Sequence, residues 1–199
     1  MREYQTNTAG EPAATRSRAK KAGSMHEALS WVLAISVAVA AAFLIRAFLF
    51  EFVLVDGPSM QPTLETGERI AIEKVSRYSG LPNRGDIVIV HYPNRTENFV
   101  KRAIALPGET IEIRNSTVYI DGEPLEEDYV SDFEYFDYGP LTVPEGHVFV
   151  MGDNRYNSMD SRALQVGPIP QDAIVGRGLF VIWPPESMHW ITADSENEQ

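Results

Sequence analysis

The stretch VDGPSMQPTLETGERIAIEKV, residues 55–75, joins a loop to a strand in a way that indicates a β fold. Gly57, Pro58 and Pro62 restrict the first part to a rigid loop, and this loop carries Ser59. The second part, RIAIEKV, alternates apolar and polar residues over the length of one strand. The stretch therefore predicts a strand preceded by a fixed loop that presents a serine.

The chain after residue 50 repeats the strand pattern, and no convincing amphipathic helix interrupts it. Further strand signals are DIVIVHY, HVFVMGD, GLFVIW and TIEIRNSTVYIDGEPL, the last of which indicates a hairpin around Asn115 and Ser116. Thirteen prolines and fourteen glycines supply corners. The predicted fold class is mainly β, with curved antiparallel sheets or a barrel-like domain, preceded by one N-terminal transmembrane helix. The acidic and aromatic segment 126–140 is predicted to be a surface excursion.

The N-terminal part of the chain indicates a membrane anchor. Residues 28–45, ALSWVLAISVAVAAAFLI, carry no charge, and a helix of this length nearly covers a hydrocarbon core of about 30 Å. The alternative is a secretory signal peptide cleaved near the AAA at 40–42. We expect a flexible cytoplasmic tail over 1–27, a transmembrane helix over 28–47, an extracytoplasmic β domain over 48–190 and a disordered tail over 191–199.

Charge is divided unevenly between the two parts. Residues 1–50 have a net charge of +3 and residues 51–199 a net charge of -14, within the total of -11. The positive-inside tendency therefore places the N-terminus in the cytoplasm and the acidic domain on the outer side of the membrane. An acidic domain repels phosphate backbones, so nucleic acid is not an expected partner. The absence of cysteine excludes a thiol nucleophile and disulfides.

A nucleophilic Ser59 needs a base, and the β domain offers few. The candidates are His91, His147 and His189, with Asp153 or Asp160 to complete a triad, and the lysines Lys74 and Lys101. Each histidine lies at a strand end or near the C-terminus, where an ordinary exposed role is the alternative. Lys74 lies between Glu73 and Arg77, a setting that is typical of an exposed ion pair.

Lys101 lies in NFVKRAIALPGE, a strand that ends at a Pro-Gly turn. With a side-chain period of two, Phe99, Lys101 and Ala103 share one face, which is apolar apart from the amine. Burial would lower the pKa of this amine and let its neutral form accept a serine proton near pH 7. An exposed ion pair is the alternative.

The segment MGDNRYNSMDSRALQVGPIP, residues 151–170, is dense in hydrogen-bonding groups and follows an apolar strand. It fits either a polar loop beside a reactive site or a structural loop whose Asp and Arg residues pair internally. A calcium loop is disfavoured because Arg155 falls on a ligand position. Ser158 or Ser161 is an alternative nucleophile, although neither has the Gly-Pro frame of Ser59.

In order and spacing, four groups of segments resemble the conserved boxes of bacterial type I signal peptidases. These are GPSMQPTL after a single membrane span, GERIAIEKV with GDIVIV, VKRAIALPGE, and GDNRYNSMDSR followed by VGPIP. The resemblance covers about residues 28–183. It implies a β domain of the signal peptidase type and a serine endopeptidase that uses a Ser-Lys dyad.

The resemblance also implies roles for individual residues. Ser59 would be the nucleophile and Lys101 the general base, supported by Ser158, which orients the lysine, and by Asp160 and Arg162, with Arg102 alongside. The small side chains of an A-x-A cleavage site would enter shallow apolar pockets lined by Val55, Met60, Leu64, Phe99 and Val100. The oxyanion would bind the Ser59 N–H, since Gly57 stands where some members of the family have a second hydroxyl donor.

The function implied by the resemblance is removal of signal peptides from exported preproteins at the outer face of the bacterial cell membrane. The expected partners are signal peptides and the lipid bilayer, and no cofactor or metal is implied. A self-cleaving repressor-type peptidase is a rival that the membrane span disfavours. A non-catalytic, membrane-anchored β domain that binds partners is the alternative from another class.

Overall fold

The computed structural model describes residues 13–130 and 136–191. Contacts divide the chain into a first unit, Met1–Ile45, and a β unit, Arg46–Gln199. Helix α1 spans Ala13–Phe48, and its stretch Met25–Ile45 is long and apolar enough to cross a membrane. At about 1.5 Å per residue, these 21 residues reach about 31 Å, close to the hydrocarbon thickness of a bilayer.

Helix α1 begins earlier than predicted. Residues 13–27, expected in the flexible tail, are helical, so that part of the prediction is wrong. The reason is composition, because Ala, Arg and Lys dominate AATRSRAKKA and are strong helix formers that extend an adjoining helix. Residues 1–12 of the predicted tail lie outside the described residues. The side chains of Met25–Ile45 are exposed, so the described chain does not cover them.

The described β unit contains twelve strands, and every pairing between them is antiparallel. In chain order, β1 to β12 are Phe50–Leu54, Arg69–Glu73, Ile87–His91, Asn98–Ala105, Thr110–Arg114, Thr117–Ile120, Glu123–Pro124, Tyr138–Thr142, His147–Met151, Ile169–Pro170, Ile174–Trp183 and His189–Trp190. A four-residue helix, α2, spans Ser76–Ser79.

The strands form a large sheet and a small one. The large sheet has the order β1-β2-β11-β3-β4-β9-β10, with β12 paired to β11, and the small sheet has the order β7-β6-β5-β8. Register shifts interrupt β11 between Gly178 and Phe180, and β4 between Ala103 and Ala105. Such bulges increase twist and bend a sheet. The predicted class, mainly β with curved antiparallel sheets after one apolar N-terminal helix, is confirmed.

The predicted hairpin forms between β5 and β6. Asn115 and Ser116 have φ angles of 49° and 61°, the left-handed pair that a two-residue type I′ turn requires. Asp121 and Gly122, with φ angles of 51° and 88°, turn the chain again between β6 and β7. Asn, Asp and Gly tolerate this region best, which explains why the sequence revealed both turns.

Strand β3 lies in the interior of the large sheet and is buried on both faces. Its Ile87 and Ile89 pack into one apolar cluster, while Val88 and Val90 pack into another on the opposite face. This explains the unbroken apolar run in DIVIV, since neither face meets water. The neighbouring β4 shares the environment, so Lys101 lies in a setting that removes water from its amine.

Segment 126–140 is not simply a surface excursion, so that prediction is wrong in part. The ring of Tyr129 packs on the buried guanidinium of Arg102, with 3.8 Å between its centroid and Cζ, and Tyr138–Thr142 pairs with β5. The local composition of this segment is typical of an acidic surface, and it does not indicate the contact with the distant, buried Arg102. Residues 131–135 lie outside the described residues.

The predicted C-terminal tail begins one residue too early. The N–H of Ile191 donates to Leu179 O at 2.9 Å, and its side chain packs against the core cluster that contains Ile87 and Ile89. The preceding strand β12 extends this pairing with β11, which is why Ile191 belongs to the folded unit. Residues 192–199 lie outside the described residues.

Candidate active site

The loop that carries Ser59 is fixed at both ends. The N–H of Val55 donates to Glu68 O at 2.8 Å, and the N–H of Gly67 donates to Val55 O at 2.9 Å. Met60 and Leu64 bury their side chains in the core and hold the loop from within. Gly57 adopts φ of 96°, a left-handed conformation that side-chain-bearing residues rarely adopt. The half-buried Ser59 is therefore presented on a rigid support.

Lys101 reaches this serine from β4. Its Nζ donates to Ser59 Oγ at 2.7 Å and to Val100 O at 2.7 Å, and the residue is only 2% exposed. Burial lowers the pKa of Lys101 from 10.5 to about 8. The nearby carboxylates of Asp160 and Asp153 raise this pKa, and the charge of Arg162 lowers it, but burial is the largest effect. About one tenth of the amine is then neutral at pH 7. A neutral amine at this distance can accept the serine proton.

Asp160 and Arg162 form a bidentate ion pair next to the site. Arg162 donates from Nε to Oδ1 and from Nη2 to Oδ2 of Asp160, both at 2.8 Å. The same carboxylate accepts the N–H of Gly152 at 3.1 Å, and Arg162 also donates to Arg155 O at 2.8 Å. The pair therefore fixes the polar loop, residues 152–162.

Ser158 lies in this loop but does not orient Lys101 in the structure. Its Oγ is buried, and within the described chain it makes no hydrogen bond. The hydroxyl lies beside Gly152, where an added Cβ would come within 2.4 Å of both Ser158 Oγ and Ser59 O. The hydroxyl of Ser158 is therefore enclosed where the polar loop packs against the loop that carries Ser59.

Arg102 pairs with Asp153 rather than with Asp160. Its Nε and Nη2 donate to the two oxygens of Asp153 at 2.9 and 2.7 Å, and its Nη1 donates to Gly85 O at 2.9 Å. Successive residues of a strand point to opposite faces, so Arg102 and Lys101 leave β4 in different directions. Arg102 thus binds a second carboxylate of the polar loop, that of Asp153. The sequence did not predict this pair.

Among the rival bases and nucleophiles, the histidines, Lys74 and Ser161 make their contacts away from Ser59. His147 and His189 hydrogen-bond carbonyls two residues away in sequence, and His91 is exposed at the end of β3. Lys74 forms an ion pair with Glu51 at 2.6 Å. Ser161 Oγ accepts the N–H of Val150 at 3.0 Å. Both aspartates proposed for a triad are occupied by arginines, so the histidine-triad hypothesis is wrong.

A cleft of about 360 Å³ opens over the serine and the lysine. Four of the five predicted pocket residues line it, namely Val55, Met60, Phe99 and Val100, together with Ser59 and Lys101. Leu64 is fully buried beneath and does not line the cleft, so its expected place in the wall is wrong. Sequence reasoning missed four polar lining residues at the ends of β1 and β4, which are Asp56, Arg95, Glu97 and Asn98.

The sequence profile of the family "Signal peptidase, peptidase S26" matches residues 28–183. The chain belongs to this family. Similar curated proteins include signal peptidase I of Bacillus licheniformis, 44% identical over 83% of this chain and 94% of the relative. Signal peptidase I T of Bacillus subtilis strain 168 is 45% identical over 87% of this chain and 94% of the relative. Members of this family are peptidases, and this chain is therefore a serine peptidase of the signal peptidase type.

A solved signal peptidase I from Enterococcus faecalis V583 is 38% identical in sequence. The match covers 49% of this chain and 96% of the solved one, with a TM-score of 0.45.

Proposed function

We propose that the chain is a membrane-anchored endopeptidase that cleaves signal peptides after A-x-A-like sites, with Ser59 as nucleophile and Lys101 as general base. The observation that carries this proposal is the 2.7 Å contact between Lys101 Nζ and Ser59 Oγ, made by an amine whose pKa burial lowers to about 8. Family membership supplies the reaction class, and this contact supplies a nucleophile and a base within reach of each other.

The reaction proceeds through an acyl-enzyme. Neutral Lys101 takes the proton of Ser59 Oγ as the oxygen attacks the scissile carbonyl, and the resulting ammonium then protonates the departing amine. Water, deprotonated by the same lysine, attacks the ester at Ser59, and the lysine returns the proton to Oγ. The Ser59 N–H stabilises the oxyanion in both steps. At Gly57, an added Cβ would meet no atom within 4 Å, so there is room for water to donate a second hydrogen bond.

The cleft suits an extended peptide. Strand β3 pairs with β4 over Asn98–Arg102, whereas β9 pairs with β4 only from Arg102 onward. The first half of β4 therefore has a free edge among the described strands, and β1 lies at the edge of the large sheet. A peptide added between these edges would gain main-chain hydrogen bonds, and its alternate side chains would face the cleft. Val55 and Met60, which are buried, give the cleft an apolar lining that suits the small apolar side chains of an A-x-A site.

Two independent features support the lipid bilayer as a partner. Helix α1 offers a span of sufficient length, and the β unit exposes Phe50, Phe52 and Leu54 on one face of β1. Exposed aromatic side chains are also found at Trp183 and Trp190. Apolar and aromatic side chains of this kind favour the membrane interface. With the basic N-terminal segment in the cytoplasm, the β unit lies on the outer face of the cell membrane.

The direct test incubates the purified full-length protein, in detergent micelles, with a preprotein that has an A-x-A site. Mass spectrometry maps the new ends. We expect one cut after the second alanine, and no cut with Ser59→Ala or Lys101→Ala. The intact mass of the purified chain decides whether its own N-terminal segment is retained as an anchor. Unchanged cleavage in either variant would refute the dyad, and absence of cleavage by the unmodified chain would favour a non-catalytic binding role.

A further inference from the structure

Glu127 and Tyr129 lie between β7 and β8, and they contact arginines of the site. Arg155 donates from Nη1 to Glu127 Oε2 at 2.8 Å and makes a second bond from Nη2 to Oε1. The Tyr129 hydroxyl donates to the same Oε1 at 2.8 Å. The Arg155 side chain is 0% exposed and that of Glu127 is 8% exposed, so this ion pair is removed from water.

The ring of Tyr129 also touches a second arginine. Its centroid lies 3.8 Å from Cζ of Arg102 and 6.0 Å from Cζ of Arg155. Contacts of this kind between a guanidinium and an aromatic ring strengthen when both are desolvated, and burial raises the pKa of Tyr129, consistent with a dry environment. Glu127 and Tyr129 together hold both guanidinium groups. We call these two residues the clasp.

One link leads from the clasp to Ser59 through Arg155. Its Nε donates to Gly152 O at 3.0 Å, which fixes the first turn of the polar loop. In that turn, the N–H of Asn154 donates to Ser59 O at 3.1 Å. Gly152 itself packs so tightly on Ser59 O that a methyl group would not fit. Arg155 therefore helps to fix the backbone of residues 152–154, which contacts the carbonyl oxygen of Ser59.

A second link runs through Arg102. This residue holds both oxygens of Asp153, and Thr63 Oγ1 donates to Asp153 Oδ2 at 2.6 Å. Thr63 belongs to the same rigid loop as Ser59, four residues further along. Two chains of contacts thus start at the clasp; one ends at the carbonyl oxygen of Ser59 and the other at Thr63 in the same loop.

We propose that Glu127 and Tyr129 are positioning residues, which hold Ser59 at the distance from Lys101 that proton transfer needs by fixing Arg155 and Arg102. The proposal rests on the proposed Ser59–Lys101 mechanism. Neither residue lines the substrate cleft, so the clasp acts on the chemical step and not on peptide binding. Misplacement of reacting groups by about 1 Å costs about 10²-fold in rate.

The first test compares Glu127→Gln with Glu126→Gln in the full-length protein in micelles, using an A-x-A peptide. Glu126 is the exposed neighbour, so its variant removes the same charge without touching Arg155. We expect Glu127→Gln to lower kcat by about 10²-fold with KM within about twofold, and Glu126→Gln to match the unmodified chain. Circular dichroism at the assay temperature establishes which variants are folded.

The second test separates the ring from the hydroxyl. Tyr129→Phe keeps the ring on Arg102 and loses only the bond to Glu127, so we expect a kcat within about fivefold of the unmodified chain. Tyr129→Leu loses the aromatic face, and we expect a loss of at least tenfold in kcat at constant KM. Equal kcat values for the folded Phe and Leu variants would contradict the role of the ring.

If Glu127→Gln does not fold, the double variant Glu127→Gln with Arg155→Gln decides, because it removes both charges of the buried ion pair together. We expect it to fold and to remain slow, since the bond to Gly152 is lost with the guanidinium. A kcat equal to that of the unmodified chain in either folded variant would overturn the proposal. Absence of cleavage by both the unmodified chain and Glu126→Gln would instead reject the proposed function.

Discussion

Replacing Lys101 with methionine tests the burial of the amine through stability alone. Burial lowers the pKa of Lys101 in the folded state from 10.5 to about 8, so the unfolded chain binds more protons between these values. Stability therefore rises as pH increases from about 8 to 10.5. The buried amine costs about 3 kcal/mol at pH 7 and less than about 1 kcal/mol at pH 10. Methionine has a similar length and carries no charge.

Methionine also loses the hydrogen bonds to Ser59 and Val100, worth about 1 kcal/mol each. We therefore expect Lys101→Met to be more stable than the unmodified chain by about 1 kcal/mol at pH 7 and less stable by about 1 kcal/mol at pH 10. Urea unfolding of the full-length protein in micelles, followed by tryptophan fluorescence, measures the difference. Lys74→Met, which breaks an ion pair with Glu51, is the control and should change stability by at most about 1 kcal/mol. If the difference in free energy of unfolding between Lys101→Met and the unmodified chain stays constant from pH 7 to 10, Lys101 is not a buried lysine with a lowered pKa.

Three further predictions concern the same site. The value of kcat/KM for an A-x-A peptide should rise about tenfold per pH unit up to about 8 and then level off, because only neutral Lys101 is active; a rise that continues to pH 10 would contradict this. Gly152→Ala should lower kcat by at least about 10²-fold, since its Cβ would lie 2.4 Å from Ser59 O; a folded variant with normal kcat would show that the packing is looser. Ser158→Ala should raise the free energy of unfolding by about 1 kcal/mol, because it removes a buried hydroxyl that makes no hydrogen bond in the described chain. A decrease of about 1 kcal/mol in urea unfolding would show that the hydroxyl has a partner.

The fold was predictable because its strands carry their own signals. The alternation in RIAIEKV indicates a strand that is buried on one face, and the apolar run in DIVIV indicates one that is buried on both. Asn115 and Ser116 indicate a left-handed turn. Lys101 was identifiable because lysine is rare after the apolar run and its strand face is apolar. These are properties of adjacent residues, which a single sequence displays directly.

Contacts between distant segments were not predictable in the same way. Arg102 pairs with a residue 51 positions away, and Glu127 pairs with one 28 positions away. Nothing local distinguishes these charges from surface charges, so Asp153 was weighed as a triad member and Glu127 as part of an excursion. The prediction that Leu64 lines the cleft was wrong for a related reason. An apolar residue in a loop can face either the core or the cleft, and Leu64 faces the core.

The measurement that tests the dyad most directly is trapping of the acyl-enzyme. Full-length protein is mixed with an A-x-A peptide in single turnover, quenched in acid within the first turnover, digested and mapped by mass spectrometry. We predict that the fragment containing Ser59 gains the mass of the N-terminal product less one water, and that no such adduct forms with Ser59→Ala. Cleavage at the normal rate with an adduct on another residue, or a Ser59→Ala variant that still cleaves, would contradict a serine nucleophile activated by Lys101.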